Sequence, residues 1–318
     1  MLTALFIVLP VFAIIAAGYL AGRFNLLGPN AASELNRFVV YLGLPALLFQ
    51  VMAGTRWADL WQPGFIASFA AGSFVVFGAT LIFRMARGRR LTDASIDGLN
   101  TGYANAGYIG FPLCQVIFGP KSFMLATIAT ILTVSVLFAV AIICVELGLQ
   151  AERRPHHLAL KLAKSLSRNP LLVAPVLGLV WASTGIKLPG GAASFLHMLG
   201  NAASPCALVS LGLFLAAKHR GGQSAKPTAI AFALLKLVAQ PAVTAVCAYG
   251  IFRLAAFPAA IAVLIAALPT GTGPFMVAEF YKREAVVTSG TILYSTVASV
   301  VTLTICLLML GQAHLGVR

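Results

Sequence analysis

The chain has 318 residues, of which 60% are hydrophobic and only 9% charged, with a net charge of +14 and a mean hydropathy of +0.94. A soluble domain carries roughly a quarter charged residues, so a soluble globular protein, a disordered chain and a nucleic-acid binder are all excluded. No nucleic acid is expected as a partner, because the basic residues sit in short gaps between long apolar runs rather than on one surface.

A helix crosses a bilayer with roughly 20 apolar residues. Ten such stretches follow one another, at 3–22, 38–54, 64–83, 97–119, 122–146, 170–186, 193–217, 228–252, 258–280 and 286–310. The first has no basic residue before Arg23, so it lacks the charged start of a cleaved secretory signal and reads as a permanent helix. The least obvious junction, Gly119-Pro120-Lys121-Ser122, separates the fourth and fifth stretches. Lys and Arg accumulate in cytoplasmic loops. Alternate loops, beginning with the one holding Arg23 and Arg37, carry 16 of the basic residues, and the opposite side carries 5. The expected protein is therefore multi-pass, with the lipid bilayer as its solvent and both termini on the non-cytoplasmic side. The five cysteines each lie inside an apolar run without a C-x-x-C pair; they read as small packed hydrophobes with no redox or metal role.

Ten helices divide into a first five-helix repeat, 1–147, a short basic cytoplasmic linker, 148–169, and a second five-helix repeat, 170–318. An odd number per set forces the halves into opposite orientations, and inverted repeats are a transporter signature. Pro10-Val11 recurs as Pro175-Val176, and Gly110-Phe111-Pro112-Leu113 is echoed by Gly273-Pro274-Phe275-Met276.

The fourth stretch contains Asn105-Ala106-Gly107-Tyr108-Ile109-Gly110-Phe111-Pro112, and the ninth contains Pro269-Thr270-Gly271-Thr272-Gly273-Pro274. Proline removes an amide donor and clashes with the preceding turn, while glycine permits unwound backbone. Both helices should break. Unwound backbone cannot face lipid, so it must be buried or line a wet cavity. Each resuming half-helix exposes free amides and the positive end of its dipole, which attract a carboxylate. Asn105, Gly107, Gly110, Thr270, Gly271, Thr272 and Gly273 are the candidate substrate-binding residues. One such break is commonly only a kink; two in corresponding helices point to a site.

These stretches, together with Leu44-Pro45-Ala46-Leu47-Leu48-Phe49 and Ser295-Thr296-Val297-Ala298-Ser299-Val300-Val301-Thr302, resemble segments of the auxin efflux carrier family, which includes plant PIN auxin exporters and bacterial carriers of malonate or related acids. The resemblance covers essentially the whole chain. It implies an all-α membrane fold of two inverted five-helix repeats with broken helices 4 and 9 crossing at Pro112 and Pro274. It further implies a scaffold domain of helices 1, 2, 6 and 7, a transport domain of helices 3–5 and 8–10, elevator-type movement, a substrate contact at Asn105, a homodimer, and a bacterial inner-membrane location. Three features depart from the family. The loop between the halves is short, the third helix has no charge from Gly64 to Phe83, and Gly273 stands where many bacterial relatives carry Asn.

Lys236 is the one charge well inside a stretch. It reads either as a charge partner for a carboxylate in the cavity or as a snorkelling side chain with its ammonium at the interface. The eight acids lie in loops or near helix ends, so none is an obvious proton carrier or sodium ligand. No cofactor is expected, and uniport or coupling to Na+ or H+ both remain open, since unwound carbonyls can hold sodium. For His197 a packed or interfacial role fits better than proton relay. An enzyme is disfavoured by the lack of H-E-x-x-H, a paired-aspartate motif or a Cys-His cluster, and G-x-x-x-x-G-K-[ST] is absent too. The expected function is a secondary active or facilitative carrier of a small organic anion, a carboxylate that is auxin-like or a dicarboxylate. A sodium- or proton-coupled malonate-like symporter is the alternative, with a passive channel behind it.

Overall fold

The structure is a computed structural model that describes residues 2–54, 61–150, 164, 167–216 and 222–314. Most of the expected linker 148–169, including His156 and His157, lies outside the described residues. The described residues are helical, with a single isolated β-bridge and no strand. The helices are α1 (Leu2–Arg23), α2 (Ala31–Ala53), α3 (Pro63–Ala86), α4 (Leu91–Gly102), α5 (Phe111–Phe118), α6 (Pro120–Leu149), α7 (Pro170–Ser183), α8 (Gly190–Ala216), α9 (Ala225–Ile251), α10 (Ala256–Ala266), α11 (Gly273–Phe280) and α12 (Val286–His314).

Six of them, α2, α3, α6, α8, α9 and α12, are long and apolar enough to cross a membrane. The first expected stretch is covered by α1. The sixth is shorter than expected, because α7 stops at Ser183 and Gly185 turns the chain at φ 69°. The fourth and ninth stretches are each divided between two short helices, α4 with α5 and α10 with α11. Between α5 and α6, Gly119 takes φ 72°, which a side chain would strain, and the Pro120–Ser122 turn starts the next helix.

Local chemistry explains several irregularities. Three π-helical turns, Val39–Gly43, Ala106–Gly110 and Leu235–Ala239, each end two residues before a proline: Pro45, Pro112 and Pro241. A proline supplies no amide to the ladder, and the wider turn shifts the pairing past the gap.

α12 shows how the protein is adapted to lipid. It exposes Val297, Val301, Ile305 and Leu308 and buries Thr288, Thr291, Ser295, Thr296 and Ser299. This is the reverse of a soluble amphipathic helix, and most of these buried hydroxyls donate to the helix's own carbonyls, as in Thr291 Oγ1 to Val287 O at 2.8 Å and Thr296 Oγ1 to Ile292 O at 2.6 Å, while Thr288 Oγ1 accepts from Asn100.

The packing falls into two groups. α1 packs most extensively on α8, and α7 on α2, with α8 also against α2. The other helices gather around α3, α4, α9 and α12. Small residues let the backbones of the first group approach. A Cβ at Gly212 would meet Ile15 O and the Tyr19 amide of α1, and one at Gly178 of α7 would lie 2.6 Å from Phe49 O of α2. Backbone cannot yield to such a contact as a side chain can. Gly212→Leu should therefore separate α1 from α8 and cost about 3 kcal/mol or more by overpacking, read as a lowered melting temperature, whereas Gly190→Ala, where a Cβ meets open space, should leave it unchanged.

Candidate functional site

α4 ends at Gly102, and the chain runs extended through Tyr103 before the turn Ala106–Gly110 leads into α5. Its counterpart, α10, ends at Ala266, and the chain is unwound until α11 starts at Gly273. Pro112 and Pro274 each occupy the second position of the resumed helix, where the missing amide costs nothing. The two unwound segments lie against each other. Ala104 and Thr270 form an antiparallel bridge, with the Asn105 amide donating to Pro269 O at 2.9 Å and the Gly271 amide to Tyr103 O at 3.1 Å.

Further backbone groups freed by the breaks are taken up by buried side chains. Thr270 Oγ1 donates to Asn100 O at 2.8 Å, Ser295 Oγ accepts from the Thr270 amide at 3.1 Å, and Gln240 Nε2 donates to Gly102 O at 3.1 Å and to Ser73 Oγ at 3.0 Å. Lys236 Nζ donates to Ala266 O at 2.8 Å and Leu268 O at 2.5 Å.

Beside the paired segments lies a cavity of about 200 Å3, lined by Tyr103, Ala104, Asn105, Ala106 and Gly107 from the first break, and by Thr272 and Gly273 from the second. Leu44, Leu47 and Val51 of α2, Thr130 and Val134 of α6, and Gly200 and Asn201 of α8 complete it. No charged side chain is among these residues. The start of the Ala106–Gly110 turn that leads into α5, and Gly273 at the start of α11, lie at the cavity wall, and the first amides of a helix have no partner within it. Asn105 is 6% exposed, and its side-chain amide makes no hydrogen bond among the described residues. Asn201 Nδ2 is 3.1 Å from a ring nitrogen of His197, one turn earlier on α8. The cavity is thus a largely apolar hollow with a few amide and hydroxyl groups in its wall, a composition suited to a small anion with an apolar body.

Of the residues expected at a site, Asn105, Gly107, Thr272 and Gly273 line this cavity. Gly110, Thr270, Gly271 and Lys236 do not. Thr270 turns toward α4 and α12, and Gly271 packs under the Tyr103 ring. Lys236 is fully buried at the end of α10. Pro274 is buried in the first turn of α11. Sequence reasoning missed Tyr103, Thr130 and Asn201, since an aromatic, a hydroxyl or an amide inside an apolar run carries no local signal of what it faces. Tyr103 also bears on Gly273. A Cβ at Gly273 would lie 2.6 Å from Tyr103 Cζ and 2.9 Å from its hydroxyl, so the tyrosine ring fills the space a side chain at 273 would need.

The side on which the basic loops gather carries the charged contacts. Asp93 holds Arg283 through two 2.7 Å hydrogen bonds, which push the guanidinium above its usual range. Arg84 meets Asp97 at 2.7 Å, and Arg89 meets Glu284 at 3.4 Å. Tyr281 donates to Glu146 at 2.6 Å and accepts from Asn169 at 3.0 Å; burial, then the bond to Glu146, push its phenol upward, so it stays the donor. Among the described residues no group of three or more His, Cys, Asp or Glu could hold a metal.

Comparison with known proteins matches residues 3–307 to the membrane transport protein family. A protein of Rhizobium meliloti named "Putative malonate transporter" is 30% identical over 306 residues, covering 94% of this chain and 93% of that protein. "Auxin efflux carrier component 8" of Arabidopsis thaliana is 25% identical over 350 residues, covering 92% and 94%. An uncharacterized transporter of Methanothermobacter thermautotrophicus is 26% identical over 299 residues, covering 93% and 95%. The chain belongs to the membrane transport protein family, that of the auxin efflux carriers. It is an integral multi-pass membrane transporter and not an enzyme.

The Tyr103–Gly273 contact generates a test within the site. Gly273→Ala should cost about 1–3 kcal/mol through overpacking, and adding Tyr103→Leu should restore more than half of the lost stability in thermal melts. A double variant that is simply the sum of its parts would remove the contact from the account.

Proposed function

We propose that this transporter carries a small organic anion, a carboxylate that is auxin-like or a dicarboxylate, in a secondary active or facilitative manner. The observation that carries the reading is the 200 Å3 cavity between the turn leading into α5 and the start of α11, beside Asn105, with amides and hydroxyls but no charged side chain in its wall. Partial positive charge from two helix N-termini and a free amide favours a carboxylate. Leaving out a lysine or arginine keeps the hold weak enough for release.

The proposal extends to two inverted five-helix repeats, 1–147 and 170–318, with broken helices 4 and 9 crossing at Pro112 and Pro274. Support comes from the reciprocal hydrogen bonds around Ala104 and Thr270, and from the packing of helix 1 on helix 7 alongside that of helix 6 on helix 2. Helices 1, 2, 6 and 7 are the proposed scaffold, and helices 3–5 and 8–10 the moving unit of an elevator-type cycle. The cavity walls fit this division: the moving unit supplies Asn105, Thr130 and Thr272, and the scaffold covers them with Leu44, Leu47, Val51 and Asn201. A homodimer in a bacterial inner membrane, with both termini outside the cytoplasm, completes the reading.

A malonate-like dicarboxylate is favoured among the candidate anions by the Rhizobium relative's name. Proteoliposomes loaded with unlabelled malonate should accumulate labelled malonate by exchange, and a parallel set tests indole-3-acetate. Asn105→Ala removes a hydrogen bond to a charged group worth about 1.5–3 kcal/mol, so uptake should fall roughly 10- to 100-fold at low substrate while the melting temperature stays near wild type. Normal uptake by that variant would overturn the site, and large unitary currents without exchange would favour a channel.

A further inference from the structure

α9 sends two side chains, one helical turn apart, to the ends of both interrupted helices. Gln240 donates to Gly102 O, at the C-terminus of α4, and Lys236 donates to Ala266 O and Leu268 O, at the C-terminus of α10. Both are 0% exposed. The two contacts differ in one respect. The end of α4 is closed by a neutral amide and the Thr270 hydroxyl, whereas the end of α10 is closed by an ammonium. Among the described residues no carboxylate forms an ion pair with Lys236, so its charge is met by carbonyl oxygens alone.

The C-terminus of a helix carries about half a negative charge, and its last carbonyls lack partners within the helix. In carriers built on interrupted helices, unwound carbonyls and the C-terminal ends of half-helices are the groups that coordinate a coupling cation. Ala266 O and Leu268 O are such groups, and here they converge within hydrogen-bonding distance of one nitrogen. We propose that Lys236 is a tethered cation: its ammonium occupies, at the C-terminus of α10, the position a coupling Na+ would otherwise take, so that the carrier closes this site with its own side chain and needs no sodium there. Lys236 is then a positioning residue. It holds Ala266 to Leu268, and through them the bridged segment and the cavity wall, without touching the substrate. The inference rests on the carrier reading above and deepens it, since it concerns how the same site is coupled.

Removing the ammonium should leave a vacancy that fills from solution. Purified full-length wild type and Lys236→Ala are melted in sodium chloride, n-propylammonium chloride and tetramethylammonium chloride at equal ionic strength. Propylammonium matches the atoms that the substitution deletes, and tetramethylammonium can neither donate a hydrogen bond nor fit. Wild type should melt at one temperature in all three salts. Lys236→Ala should melt lower in tetramethylammonium, by about 5 °C or more, and recover in propylammonium, sodium or both. Lys236→Gln, which keeps a donor but no charge, should also respond to sodium. Cation-independent melting of both variants, their failure to fold in any of the three salts, or sodium stabilisation of wild type would overturn the proposal. Malonate and indole-3-acetate uptake is measured in the same salts. Uptake by wild type should be equal in sodium and tetramethylammonium, and an absence of uptake in every salt counts against the carrier reading alone, because the melts decide on Lys236 independently.

Discussion

The organising constraint is that no backbone amide or carbonyl can be left unpaired in lipid, where each would cost several kcal/mol. Interrupting two membrane helices frees such groups at both breaks, and the fold answers by laying one break against the other. The Asn105 amide and Pro269 carbonyl satisfy each other, as do the Gly271 amide and Tyr103 carbonyl. Neither segment would be buried at tolerable cost without its partner. Five further freed groups are taken up by Thr270, Ser295, Gln240 and Lys236, every one of them buried. The hollow beside the paired segments is lined by Asn105 and Gly107 of the first break and by Thr272 and Gly273 of the second. The preference for negative charge proposed for this site would then follow from how the breaks are stabilised.

A second level of order follows from where polarity sits. Within the helices around α3, α4, α9 and α12, contacts are rich in hydrogen bonds: Thr80 to Thr101 at 2.8 Å, Asn100 to Thr288 at 3.0 Å, and the Asp93–Arg283 pair at one end. The wall offered by α2 and α8 is largely aliphatic, with Asn201 as its polar member. A polar-bonded unit facing a smooth apolar one suits the sliding movement proposed for the carrier, since aliphatic surfaces have no directional bonds to break. The Tyr281–Glu146–Asn169 set is an exception: it joins the ends of α6 and α11 to the start of α7 at one end of the molecule.

Much of this was legible in the residues themselves. Gly and Pro act locally, through backbone sterics and a missing donor, so Asn105–Pro112 and Pro269–Pro274 announced interruptions, and Gly119-Pro120 announced a turn. Long-range pairing is another matter. Nothing local says that Ala104 should meet Thr270, that the Tyr103 ring should fill the space over Gly273, or that Thr130 and Asn201 should look into the same hollow. Lys236 illustrates the limit. Its charge inside an apolar run marked it as costly, but the carbonyls that accept its protons lie 30 and 32 residues further along the chain, and only the fold brings them near.

The pairing of the two breaks can be tested by a disulfide. Ala104 and Thr270 face each other between the two flanking hydrogen bonds, the arrangement in an antiparallel pair where Cα atoms approach to about 4.5 Å and side chains share a face, within the range a disulfide spans. With the five native cysteines replaced by alanine, the Ala104→Cys, Thr270→Cys double variant should form an intramolecular disulfide in native membranes under mild oxidation, detected by mass spectrometry of the linked peptides. Two thiols that stay separately alkylatable under those conditions would mean that the helices do not break against one another, and the cavity built on that contact would go with it.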